Sequence, residues 1–94
     1  MILSFSHINR QVRDLDRTIA FYMTHLGFYL LRRYRRAGRS EAAYIGLGDV
    51  LFELSVAPAD AAFPRDPTDG RVGLTVNDLD AVLAELQRSG VEVL

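Results

Sequence analysis

No cysteine occurs anywhere in the chain, which removes disulfides, thiolate metal sites and cysteine nucleophiles together. That absence suits a reducing compartment. Lysine is absent too: all eleven basic residues are arginine, a bias from which no function follows. No run approaches the ~20 apolar residues of a membrane span. Met1 to Ser6 lacks the basic and long apolar regions of a signal peptide. A net charge of −1 gives no reason to expect nucleic-acid or membrane binding through overall electrostatics. Signatures of dinucleotide, phosphate-loop, zinc-protease and serine-hydrolase sites are missing as well. The expectation is one small, soluble, cytoplasmic domain of ninety-four residues, 49% hydrophobic and 24% charged.

What is present is a repeat. Val12-Arg13-Asp14-Leu15-Asp16 returns as Val76-Asn77-Asp78-Leu79-Asp80. Downstream of the first copy, Ile19, Tyr22 and Gly27 find counterparts in Leu83, Leu86 and Gly90. Apolar strand residues, an aspartate and then a helical spacing describe a duplicated strand–turn–helix unit.

Ile2 to about Val12 reads as a strand, with Leu3, Phe5, His7, Asn9 and Gln11 on one face. Asp14 is a good helix cap, and Leu15, Ile19, Tyr22 and Leu26 form one apolar stripe before Gly27 ends the helix. Phe28 to Arg36 and Ala42 to Leu47 read as a hairpin turning at Ala37-Gly38. Gly48-Asp49 then turns into the strand Val50 to Val56. Residues 1–56 thus make a βαβββ module. Residues 57–70, which hold all three prolines, form a linker. Residues 71–94 start a second module: strand residues Val72, Leu74 and Val76, a helix capped by Asp78, a stop at Ser89-Gly90, and a new strand from Val91. The fold class is α+β, a βαβββ module followed by a shortened βαβ. A sheet covered by helices on one face only would expose Leu3, Phe5 and Leu51, so self-association is expected, or else continuation into a longer protein.

These features resemble the vicinal oxygen chelate superfamily, which includes glyoxalase I, extradiol dioxygenases and the bleomycin-resistance proteins. The likeness is carried by Ser6-His7-Ile8, Val12-x-Asp14-Leu15-Asp16, Ile19-Ala20-Phe21-Tyr22, Leu26-Gly27-Phe28, Leu47-Gly48-Asp49 before Leu51-Phe52-Glu53-Leu54, and Gly70 to Val76 with Asp78-Leu79-Asp80. It implies a sheet-lined cup, and in metal-dependent members a divalent ion (Zn, Ni, Mn or Fe). Under that resemblance the first-strand ligand falls on His7 and the last-strand ligand on Glu53. A third falls on Arg71, whose guanidinium has no lone pair to offer, and a fourth would lie beyond Leu94. The arginine that binds the glutathione carboxylate in glyoxalase I is matched by Gln11.

His7 and Glu53 are therefore the metal candidates, and Arg71, Gln11, Asn9 and Tyr44 the ligand-binding candidates. Arg71 could hold a carboxylate or phosphate, or neutralise Glu53. About half of Arg32, Arg33, Arg35 and Arg36 would line the cup if they alternate along a strand. Tyr34 and Tyr44 could supply aromatic walls to the cup, although core or edge packing is the more usual role of such residues. Two functions follow from the resemblance. One is a small-molecule-binding protein with a degenerate metal site between the subunits of a homodimer. The other is a metal-dependent lyase, isomerase or dioxygenase.

Overall fold

The computed structural model describes residues 1–35, 41–57 and 72–93. The chain divides into two compact units, Met1–Ala61 and Ala62–Leu94. In the first, β1 (Ile8–Val12) leads through α1 (Leu15–Leu26) to β2 (Tyr29–Arg35), β3 (Glu41–Leu47) and β4 (Val50–Val56). The sheet order is β1-β4-β3-β2, with β1 parallel to β4 and the other neighbours antiparallel. This is the α+β arrangement expected for the first module.

The repeated aspartates are helix caps in both units. Asp14 Oδ1 accepts the Arg17 N–H at 3.0 Å, and Asp78 Oδ1 accepts the Ala81 N–H at 3.0 Å. Each cap residue keeps an extended backbone, satisfying a donor that the first helical turn leaves without a partner. Gly27 closes α1 at φ 73°, a left-handed geometry that glycine adopts at no steric cost. Asp14→Ala should therefore lower stability by about 1 kcal/mol in urea unfolding, with Asp14→Ser close to wild type. Equal losses in the two variants would show that the cap is not responsible.

The α1 stripe buries Leu15 and Ile19 against one face of the sheet. Tyr22 meets Phe28 edge-on at 5.0 Å, and Phe28 stacks on Phe52 at 5.8 Å. Ile45 and Leu54 complete this core and are wholly buried. On β2 the register shifts between Leu30 and Arg32, a bulge that sets which arginine meets which face. Arg33 turns towards α1, where it donates to Asp16 at 2.6 Å and to Glu41 at 2.7 Å. Arg32 stands opposite Tyr44 on the other face.

Three expectations change. The first strand is shorter than expected, because only Ile8 to Val12 pair with β4. In that register Val50, where β4 begins, stands level with Ser6, so Ile2 to Phe5 have no β4 backbone beside them. Leu3 and Phe5 are 89% and 73% exposed. Leu51, by contrast, is half-buried. It lies beside Gly46, where a Cβ would meet the Tyr29 ring at 2.5 Å and Leu51 Cδ2 at 2.8 Å. Lastly, the described residues of the second unit form α2 (Leu79–Arg88) but no strand, since Val72 to Val76 and Val91 to Val93 find no ladder partner among them. The turn expected at Ala37-Gly38 and nearly all of the linker lie outside the described residues. Among the described residues, no helix is long and apolar enough to cross a membrane.

Candidate functional site

The sheet face turned away from α1 carries the polar side chains. Alternation places them there: Asn9 stands level with Glu53 on the parallel neighbour, and Tyr44 stands opposite Glu53 on the antiparallel one. Glu53 is the only buried charged residue among those described, at 6% exposure. A carboxylate in that position has to be met by donors, since leaving it bare would cost several kcal/mol.

The donors are present. Asn9 Nδ2 donates to Glu53 Oε1 at 2.8 Å, and the Tyr34 hydroxyl donates to Oε2. Tyr44 stands opposite Glu53 in register, and this carboxylate is the main reason that its phenol is pushed up to about 12. Burial adds to that shift, because both effects disfavour a second negative charge. His7 Nε2 stands 4.0 Å from Oε1, while its Nδ1 shares a hydrogen bond with Ser6 Oγ at 2.9 Å. Asn9 is held in turn by Ser55, with Nδ2 donating to Oγ at 3.2 Å.

Rings run across the same face. Tyr34 stacks on Tyr44 at 5.6 Å, and His7 meets Tyr44 edge-on at 5.2 Å. The Arg32 guanidinium lies over the Tyr34 ring at 5.9 Å, within cation–π reach. The row Arg32–Tyr34–Tyr44–His7 thus spans the sheet around Glu53. Among the described residues no buried side-chain polar atom lacks a partner.

Of the candidates named from sequence, His7, Glu53, Asn9 and Tyr44 come together. Gln11 lies further along β1, level with Ser55 and exposed. Arg71 is outside the described residues. Sequence reasoning missed Tyr34 and Ser55 as members of the cluster.

A family model described as the Glyoxalase/Bleomycin resistance protein/Dioxygenase superfamily matches residues 4–94. The chain belongs to this superfamily. Solved members share its fold. Trypanothione-dependent glyoxalase I of Leishmania major is similar over 95% of this chain and 68% of that one, at 22% identity and a TM-score of 0.77. A glyoxalase family protein from Enterococcus faecalis is similar over 95% and 74%, at 25% identity and a TM-score of 0.72. No curated protein matches the sequence.

Superfamily members commonly use a divalent metal. A metal ion takes lone pairs from its ligands, and here the supply is short. His7 offers one nitrogen. Both Glu53 oxygens already accept protein hydrogen bonds. Among the described residues, no three His, Asp or Glu side chains gather as a metal would require. These residues do not fit a divalent-metal centre.

Proposed function

We propose that this superfamily member binds a small molecule on the polar, aromatic face of its sheet, between two copies of the chain, with no need of a metal. One observation carries the reading: the buried Glu53 carboxylate accepts from Asn9 on β1 and Tyr34 on β2, within a row of rings. Donors on both oxygens fix the carboxylate in one position. Such a group suits recognition better than proton abstraction. Under the family resemblance Arg71, outside the described residues, is the candidate cation for a carboxylate or phosphate. The exposure of Leu3 and Phe5 supports a partner subunit, since an apolar segment left in water favours association. The metal-dependent lyase, isomerase or dioxygenase reading rests on the nearness of His7 to Glu53 and needs further ligands to stand.

The deciding experiment screens EDTA-treated protein against a library of small planar and carboxylate-bearing compounds, read by tyrosine fluorescence. The chain holds four tyrosines and no tryptophan to mask them. Binding unchanged by EDTA and weakened at least tenfold in Glu53→Gln is expected. Binding that appears only after loading with Zn, Ni, Mn or Fe(II), with about one ion retained per site on dialysis, would replace this reading with the enzymatic one.

A further inference from the structure

A carboxylate offers about four lone-pair directions, and any it gives to protein donors are lost to a metal ion. Here the Glu53 oxygens accept from an amide on β1 and a phenol on β2, and the Tyr44 phenol of β3 stands opposite in register. Two strands thus each deliver an uncharged donor to one carboxylate, and a third sets a phenol beside it. We propose that Asn9, Tyr34 and Tyr44 stand where a metal ion would, and that they actively keep divalent cations off Glu53. The inference rests on the metal-free reading above, but names the groups responsible. Tyr34 and Tyr44 support each other through their stacked rings, and Asn9 is fixed by Ser55, so the donors are preorganised. A cation approaching Glu53 would have to break those hydrogen bonds before forming its own. His7 is 33% exposed at its side chain and would then be the partner left to share the ion.

The test uses the full chain and Ni²⁺ alone as the probe, followed by paramagnetic broadening of histidine ring protons. The two histidines make the readout internal: His7 reports the cluster, and His25, on the last turn of α1, reports nonspecific binding. In Tyr34→Phe/Tyr44→Phe, His7 should broaden at about tenfold lower Ni²⁺ than in wild type, because a hydrogen bond to a charged acceptor is about that strong. His25 should respond equally in both. The proposal is overturned if the folded double variant matches wild type at His7, or if wild type already retains one ion per site. Should the double variant lose its dispersed spectrum, Tyr44→Phe alone is judged by the same comparison, with about a threefold gain as the threshold. A protein that binds no small molecule yet gives this Ni²⁺ pattern would sink the ligand-binding reading and leave the metal-exclusion role standing.

Discussion

Leu54→Ala is expected to lower stability by about 3 kcal/mol, a large part of what a domain of this size has. Leu54 is 2% exposed on β4, an inner strand bonded to β1 on one side and β3 on the other. Its register partner on β3 is Ala43, which has no side chain long enough to move into the space. With the backbone pinned on both sides, the cavity should persist, which places the cost above that of transfer alone. Urea unfolding followed by far-UV circular dichroism should show a lower midpoint with an unchanged slope. Val50→Ala, on the same strand but 51% exposed, is the control and should cost about 1 kcal/mol or less. If the two variants lose similar amounts, Leu54 is not packed as described.

Much of this core was legible beforehand, and the reasons differ by element. Leu15 and Ile19 sit on a 3.6-residue stripe between an aspartate and a glycine, so α1 follows from local rules that its neighbours do not contradict. β1 was overextended because alternation continues from Leu3 to Gln11, whereas a strand ends where its partner's backbone ends. That limit is set by the turn at Gly48-Asp49, forty residues away in sequence and invisible to a periodicity argument. Val72 to Val76 find no ladder partner among the described residues for a related reason: an apolar pattern supplies a face but not a neighbouring strand.

The site divides in the same way. The two-residue turn between Leu47 and Val50 fixes the β3–β4 register, and counting back from it puts Tyr44 opposite Glu53. That placement was available from sequence, where Tyr44 is a ligand-binding candidate but is not paired with Glu53. Tyr34 was not available. Its place depends on the β2–β3 connection and on the bulge at Leu31, which moves Arg32 opposite Tyr44 and carries Tyr34 to the same face. Nor did the resemblance to metal-dependent relatives help, because it directs attention to lone-pair donors. The side chains that satisfy Glu53 here are proton donors, a difference only the cross-strand geometry reveals.

In a spectrophotometric titration, one of the four tyrosines should ionise last, near pH 12, because losing the Tyr44 proton would place a phenolate against the Glu53 carboxylate. Glu53→Gln removes the charge but keeps an oxygen that accepts the phenol, so the shape of the cluster survives. In that variant the late step should move towards 10, about a hundredfold change in proton affinity. Tyr44→Phe should delete the late step altogether. The linkage to stability has a definite sign. A pKa raised in the folded state means that the contribution of neutral Tyr44 is fully present below about pH 10 and is lost as pH rises through about 12. Wild type should therefore lose stability relative to Glu53→Gln across that window, and the two should run parallel below it. A wild-type protein whose tyrosines all ionise together near pH 10 would mean that Tyr44 does not share a proton with Glu53. The same result would detach the Tyr44 phenol from the carboxylate and leave room beside it for a metal ion.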